Sequence, residues 1–164
     1  MSRIDDEFEF MPSVYDRLLD LEPSSGTDSD TEEPYLRRQR AIELKESLRR
    51  DLTNLLNTRW ACRSWPPDFD QLESSIVNYG IPDFTGVNMA SPENREHLMK
   101  MVENAIKIFE PRLISFSIGK EEPGIDRRLH FKIVGVLRAE PYPEEVLFDA
   151  SLKVQSSEFE IART

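Results

Sequence analysis

Apolar positions along this chain form two helical stripes followed by a stretch of strict alternation. Leu44, Leu48, Leu52 and Leu55 recur at i, i+4, i+8 and i+11. That is the spacing of one buried helix face, and it predicts a helix from about Leu36 to Leu56. In a second helix, Ser91 is a good N-cap, Pro92 suits the first helical position and Glu93 complements the helix dipole. Leu98, Met101, Val102, Ala105, Ile106 and Phe109 then line its inner face. This helix must stop near Glu110, because Pro111 pushes its predecessor away from helical angles. Between the helices, Trp60, Cys62, Trp65, Pro66, Pro67 and Phe69 read as a packed, irregular loop. Leu72, Ile76 and Tyr79 predict a short helical turn, ended by Gly80 in a left-handed conformation.

After Arg112 the period changes to two. Ile114, Phe116 and Ile118 alternate with Ser115 and Ser117, and Leu129, Phe131 and Ile133 repeat the pattern on a second strand. The turn between them falls at residues 121–126, which contain Pro123 and Gly124. Pro141 and Pro143 interrupt the pattern; Val146 to Val154 then makes a third strand with Phe148, Ala150, Leu152 and Val154 on one side, and Phe159 and Ile161 add a short fourth. The predicted fold is α+β: two main helices packed on one face of a three- or four-stranded antiparallel sheet, with an N-terminal acidic arm. A sheet of this kind that does not close has two edges, and an edge can accept a strand from another chain.

Composition refines this picture chiefly through charge. The chain has 164 residues, 21 Lys and Arg, 31 Asp and Glu, and a net charge of -10, enough length for one domain with a real core. The acidity is concentrated at the start: residues 1–35 hold eleven acidic and two basic side chains, a net of -9, which leaves -1 for the rest. Residues 1–21 read as a short docking helix, with Val14, Leu18 and Leu21 at helical spacing. Residues 22–35 read as a flexible acidic linker, too poor in apolar side chains to offset its ordering entropy, and residues 36–164 as the folded domain. The arm either docks on a partner or folds back on its own domain. A nearly neutral domain argues against nucleic acid. Arg37, Arg38, Arg40, Lys45, Arg49 and Arg50 nevertheless give the first helix a basic face, either simply solvated or facing an acidic arm or partner. No apolar run is long enough to cross a bilayer, and the start has no basic-then-apolar signal region, so the expected setting is soluble and intracellular.

Chemistry-bearing motifs are scarce. Cys62 is the only cysteine, no Cys and His spacing suits zinc, and no glycine-rich phosphate loop occurs, so neither metal nor cofactor is expected. His97 and His130 fall on polar faces, and Ser91, Ser115, Ser117 and Ser151 lack a nucleophile-elbow context. The enzymatic alternative is a pair of carboxylates for glycoside hydrolysis, Glu110 with Glu121, Glu122 or Asp126. Glu110, Pro111 and Arg112 are more specific as a unit: they place an acid and a base two residues apart where helix hands over to sheet. They form either a mutual structural ion pair or a contact reaching to another subunit.

The run Glu110, Pro111, Arg112 closing an apolar helix resembles the EPR motif of the baseplate wedge proteins of contractile phage tails and of their type VI secretion counterpart, the TssE family. Val14 to Leu18, Leu55 to Arg59 and Asn78 to Gly86 (NYGIPDFTG) are similar to that family too. The resemblance implies a structural subunit, not an enzyme, although the phage relatives carry a lysozyme label. It implies a domain similar to the interlocking part of a sheath subunit, linking the baseplate wedge to the first sheath ring and initiating sheath assembly. Wedge subunits TssF and TssG, a more peripheral TssK and the sheath subunits TssB and TssC would be its partners, in a cytoplasmic baseplate docked at the inner membrane. Partner binding would fall to Glu110, Pro111 and Arg112 at the corner and to Val14 and Leu18 on the arm. The peptidoglycan hydrolase remains the alternative.

Overall fold

The structure, a computed structural model, describes residues 18, 34–60, 66, 68–120, 128–138 and 143–163. Two helices, α1 (Pro34–Asn57) and α2 (Pro92–Phe109), precede four strands, β1 (Leu113–Lys120), β2 (Arg128–Leu137), β3 (Glu144–Lys153) and β4 (Glu158–Arg163). The strands follow one another in chain order, each antiparallel to the next. The fold is therefore α+β, with the sheet at four strands. The docking helix over 1–21 (apart from Leu18), the linker up to residue 33, the side chains of Arg37, Arg38 and Arg40, the loop around Cys62 and Trp65, and the hairpin turn at 121–127 lie outside the described residues. Leu18 is helical and 79% exposed.

One core joins the layers. Leu44, Leu48, Leu52, Leu55 and Leu56 from α1 meet Leu98, Val102, Ala105 and Ile106 from α2 over Phe131, Ile133, Phe148, Leu152 and Phe159 of the sheet. Phe159 packs edge-on against both Phe84 and Phe131, at ring separations of 5.9 and 6.1 Å, an arrangement aromatic rings favour. Ser91 and Pro92 open α2 as expected, although the Ser91 side chain makes no capping hydrogen bond.

The start of β1 differs from the alternation. Leu113 pairs with Leu137 but Ser115 pairs with Val136, so Ile114 is an extra residue in a bulge. The bulge inverts the parity: Leu113, Phe116 and Ile118 face the core, whereas Ile114 is 54% exposed on the outer face. Residues 70–78 also differ. Leu72, Ser75, Asn78 and Tyr79 each donate a backbone bond three residues back, giving two short 3-10 turns (Asp70–Leu72 and Ile76–Asn78) and leaving Ile76 and Val77 exposed. An α-helical stripe does not form there because the i→i+3 bonds advance each residue by a third of a turn.

Candidate functional site

Glu110 closes α2, and its backbone N–H donates to the Ile106 carbonyl at 2.9 Å. Pro111 is exposed and sets the bend; Arg112 then enters the sheet. The two charged side chains turn inward, Glu110 6% and Arg112 8% exposed. Arg112 Nε donates to Glu110 Oε1 at 2.6 Å and Nη2 to Oε2 at 2.7 Å. The fork of the guanidinium thus matches both carboxylate oxygens.

Helix α1 completes the cluster. Arg112 Nη1 donates to Ser47 Oγ at 3.1 Å and Nη2 to Asp51 Oδ2 at 2.7 Å, while Arg50 Nε and Nη2 reach Asp51 Oδ1. Burial alone would lower the Arg112 pKa, but Glu110 and then Asp51 outweigh it and hold the value above the ordinary guanidinium range. Tyr79 stands beside the cluster, edge-on to Phe109 at 5.3 Å; burial, then the negative fields of Asp51 and Glu110, push its phenol pKa up. The corner is thereby fastened to α1 at two positions one turn apart. Ser47 and Asp51 were legible only as small polar residues four apart, flanking the apolar stripe of α1.

The Leu55–Arg59 and Asn78–Gly86 stretches also meet. Ile81 N–H donates to the Thr58 carbonyl at 3.0 Å and Trp60 N–H to the Ile81 carbonyl at 3.3 Å, a short parallel bridge. Gly80 has φ +112°, and a Cβ there would lie 2.4 Å from Thr58 O, so the close approach requires glycine. Arg59 donates to the carbonyls of Leu56 and Ser157 and lies 4.8 Å from the Phe84 ring centroid; burial depresses its pKa.

The sheet edges are unlike each other. Asn57 Nδ2 donates to the Phe159 carbonyl and its Oδ1 accepts from Phe159 N–H, both at 2.9 Å, and Arg49 Nη1 donates to the Ile161 carbonyl at 3.2 Å. Two α1 side chains thus cover the outward backbone of β4 at Phe159 and Ile161, and Arg59, just past the helix, holds the Ser157 carbonyl just before the strand. The C-terminal strand is therefore not the bare edge. Among the described residues, β1 has a strand neighbour on one side only.

Other sequence-predicted features resolve as follows. The described cations of α1 are engaged: Lys45 with Glu144, Arg49 with Glu46, and Arg50 with Asp51. His97 is exposed, whereas His130 is half-buried beside a cavity of about 140 Å³ with Arg95, Glu96 and Met99. Glu121, Glu122 and Asp126, the proposed acid partners of Glu110, lie outside the described residues. No helix among the described residues is long and apolar enough to cross a membrane.

Among the described residues, the domain combines a helix-to-sheet corner clamped from within and a β1 edge without a second strand neighbour. Residues 42–142, more than half of the chain, match a family model described as baseplate wedge protein gp25, and the chain belongs to that family. Membership gives it a structural baseplate role in a contractile, phage-like machine. No curated protein and no solved structure matches the chain.

Proposed function

We propose that this chain is the TssE-like wedge subunit of a type VI secretion baseplate, linking the wedge to the first sheath ring and initiating sheath assembly without enzymatic activity. Family membership supports the baseplate role. The observation that carries the structural reading is the state of Glu110: both of its oxygens are taken by Arg112 in a buried, bidentate pair. A general acid needs access to a glycosidic oxygen, which a buried carboxylate engaged on both oxygens does not offer, so the hydrolase reading has no comparable support.

In this proposal TssF and TssG are the direct wedge partners, TssK is more peripheral, and TssB and TssC are the sheath whose polymerisation is templated. The location is the cytoplasmic side of the inner membrane, within the docked baseplate. Glu110, Pro111 and Arg112 hold the corner that presents the partner surface, and Val14 and Leu18 on the arm add a contact to the wedge. The folded domain accepts a sheath strand along β1, and a preformed edge of this kind removes part of the ordering cost of the first ring.

The test is co-purification with TssF and TssG, followed by amide exchange of the complex with and without TssB and TssC. Retention in the wedge complex, with added protection along β1 when sheath subunits are present, is the expected result. Failure to co-purify, or wall clearing by the isolated protein that Glu110→Gln abolishes, overturns the reading.

A further inference from the structure

The outer face of the sheet carries an aliphatic strip among polar neighbours. The bulge places Ile114 and Ser115 opposite Val136, and Val134 lies two residues along β2, directly opposite Leu147 of β3. Ile114, Val134 and Leu147 are 54%, 45% and 37% exposed, and Val136 is half-buried. Ser115 and Glu145 flank Val136, and elsewhere this face presents Ser117, Lys132, Asp149, Ser151 and Lys153. Four adjacent aliphatic side chains at one end of such a surface mark a contact area.

The strip's position in the fold selects its occupant. It lies where β1 and β3 begin and β2 ends. The Lys45–Glu144 ion pair sets α1 against that same end, so residues 34–44 of the helix carry the chain about 15 Å past it at 1.5 Å per residue. The arm therefore joins the domain at the strip's end of the sheet. Residues 22–33 can span about 40 Å when extended, sufficient to return around the sheet rim. Of the other exposed apolar side chains, Phe69, Ile76 and Val77 follow the far end of α1, about 36 Å from Pro34 along the helix axis.

The arm supplies a matching surface. Val14, Leu18 and Leu21 stand at i, i+4 and i+7, and Leu18 is helical and uncovered. A helix this short needs tertiary contact to persist in water. From these placements we propose that in the free protein the arm helix docks in cis on the outer sheet face, laying Val14, Leu18 and Leu21 over Ile114, Val134, Val136 and Leu147. Leu18, Ile114, Val134 and Leu147 are exposed in the structure, and docking would exchange solvent for contact on each. On assembly the arm would leave the strip for its wedge partner, a step that rests on the baseplate reading, whereas the docking itself does not.

The experiment is amide exchange on the isolated full chain, comparing wild type with Leu18→Asp, Val134→Asp and Leu147→Asp. Amides 14–21 should exchange about tenfold more slowly in wild type than in Leu18→Asp, and either sheet variant should remove the same protection while core amides of β2 and β3 stay protected. Wild-type arm amides exchanging as fast as those of Leu18→Asp overturn the proposal. So does arm protection that survives both sheet variants, which places the arm elsewhere. Protection that grows with protein concentration also overturns it, because the occupant is then a second copy. Wedge partners are absent from this measurement, so its failure is distinct from failure of the baseplate role.

Discussion

Asn57 pairs with Phe159 as a neighbouring strand would: one side-chain amide both donates to the Phe159 carbonyl and accepts its N–H, each at 2.9 Å. An edge strand ordinarily presents such groups to any passing chain. Here the last residue of α1 occupies them, and Arg49 and Arg59 cover the neighbouring carbonyls of Ile161 and Ser157. Asn57→Ala should cost about 1–3 kcal/mol, because it leaves a partly buried donor and acceptor without partners. Asn57→Asp keeps an acceptor for the Phe159 N–H but sets a carboxylate oxygen against the Phe159 carbonyl, so it too should lose stability in urea denaturation. Equal stability of all three proteins would show that the clamp contributes nothing.

Arg112 bridges Glu110, Ser47 and Asp51. Arg112→Gln should destabilise the fold by about 3–5 kcal/mol, since it strands the Glu110 carboxylate in the core. Arg112→Lys keeps the charge but cannot form the fork, and should fall between wild type and Gln in denaturant midpoint. Wild-type midpoints for both variants would mean that the cluster does not hold the corner.

Much of this architecture was legible because its causes are local. The Leu44–Leu55 stripe and the Ser91–Pro92 start needed only helical periodicity, and Pro111 alone announced the end of α2. The fourth strand was readable from Phe159 and Ile161. Ile114 was misplaced because a bulge shifts register without leaving a compositional mark, and strict alternation assigns it inward. Residues 70–78 do form short helical turns ahead of Gly80, but three apolar residues at helical spacing do not determine whether bonds close at i+3 or i+4.

The candidate site was legible in its centre and not in its surroundings. Glu110, Pro111 and Arg112 drew attention by their chemistry, but which way the charges turn depends on Ser47 and Asp51, more than sixty residues away for each. The same distance hid the covering of β4, where Asn57 and Phe159 are 102 positions apart. Open edges follow from topology, but only the packed structure shows that α1 covers one of the two.

Gly80 and Gly86 both have positive φ, at +112° and +83°, yet their surroundings differ. A methyl group at 86 meets nothing within 4 Å, so Gly86→Ala should cost only the backbone penalty of about 1–2 kcal/mol. At 80 the Cβ would collide with Thr58 O and force the Thr58–Ile81 bridge apart. Gly80→Ala should therefore lose clearly more stability than Gly86→Ala in the same thermal melt. Equal losses would show that the bridge yields without cost.

Asp83 offers a pH-dependent test of the NYGIPDFTG stretch. Its Oδ1 accepts from the Thr85 hydroxyl at 2.6 Å and from Thr85 N–H at 2.9 Å, and these bonds, the hydroxyl first, hold its pKa below the usual aspartate value. A carboxylate whose pKa is depressed on folding contributes stability that is present above its unfolded pKa of about 3.9 and disappears as pH falls through the lower folded value. Asp83→Asn cannot titrate, so its melting temperature should fall less than that of wild type between pH 5 and pH 2, with the two curves converging at the acid end. Parallel curves across that window would mean that the Thr85 contacts persist equally in the unfolded chain, and that this turn is set by Gly80 and Pro82 alone.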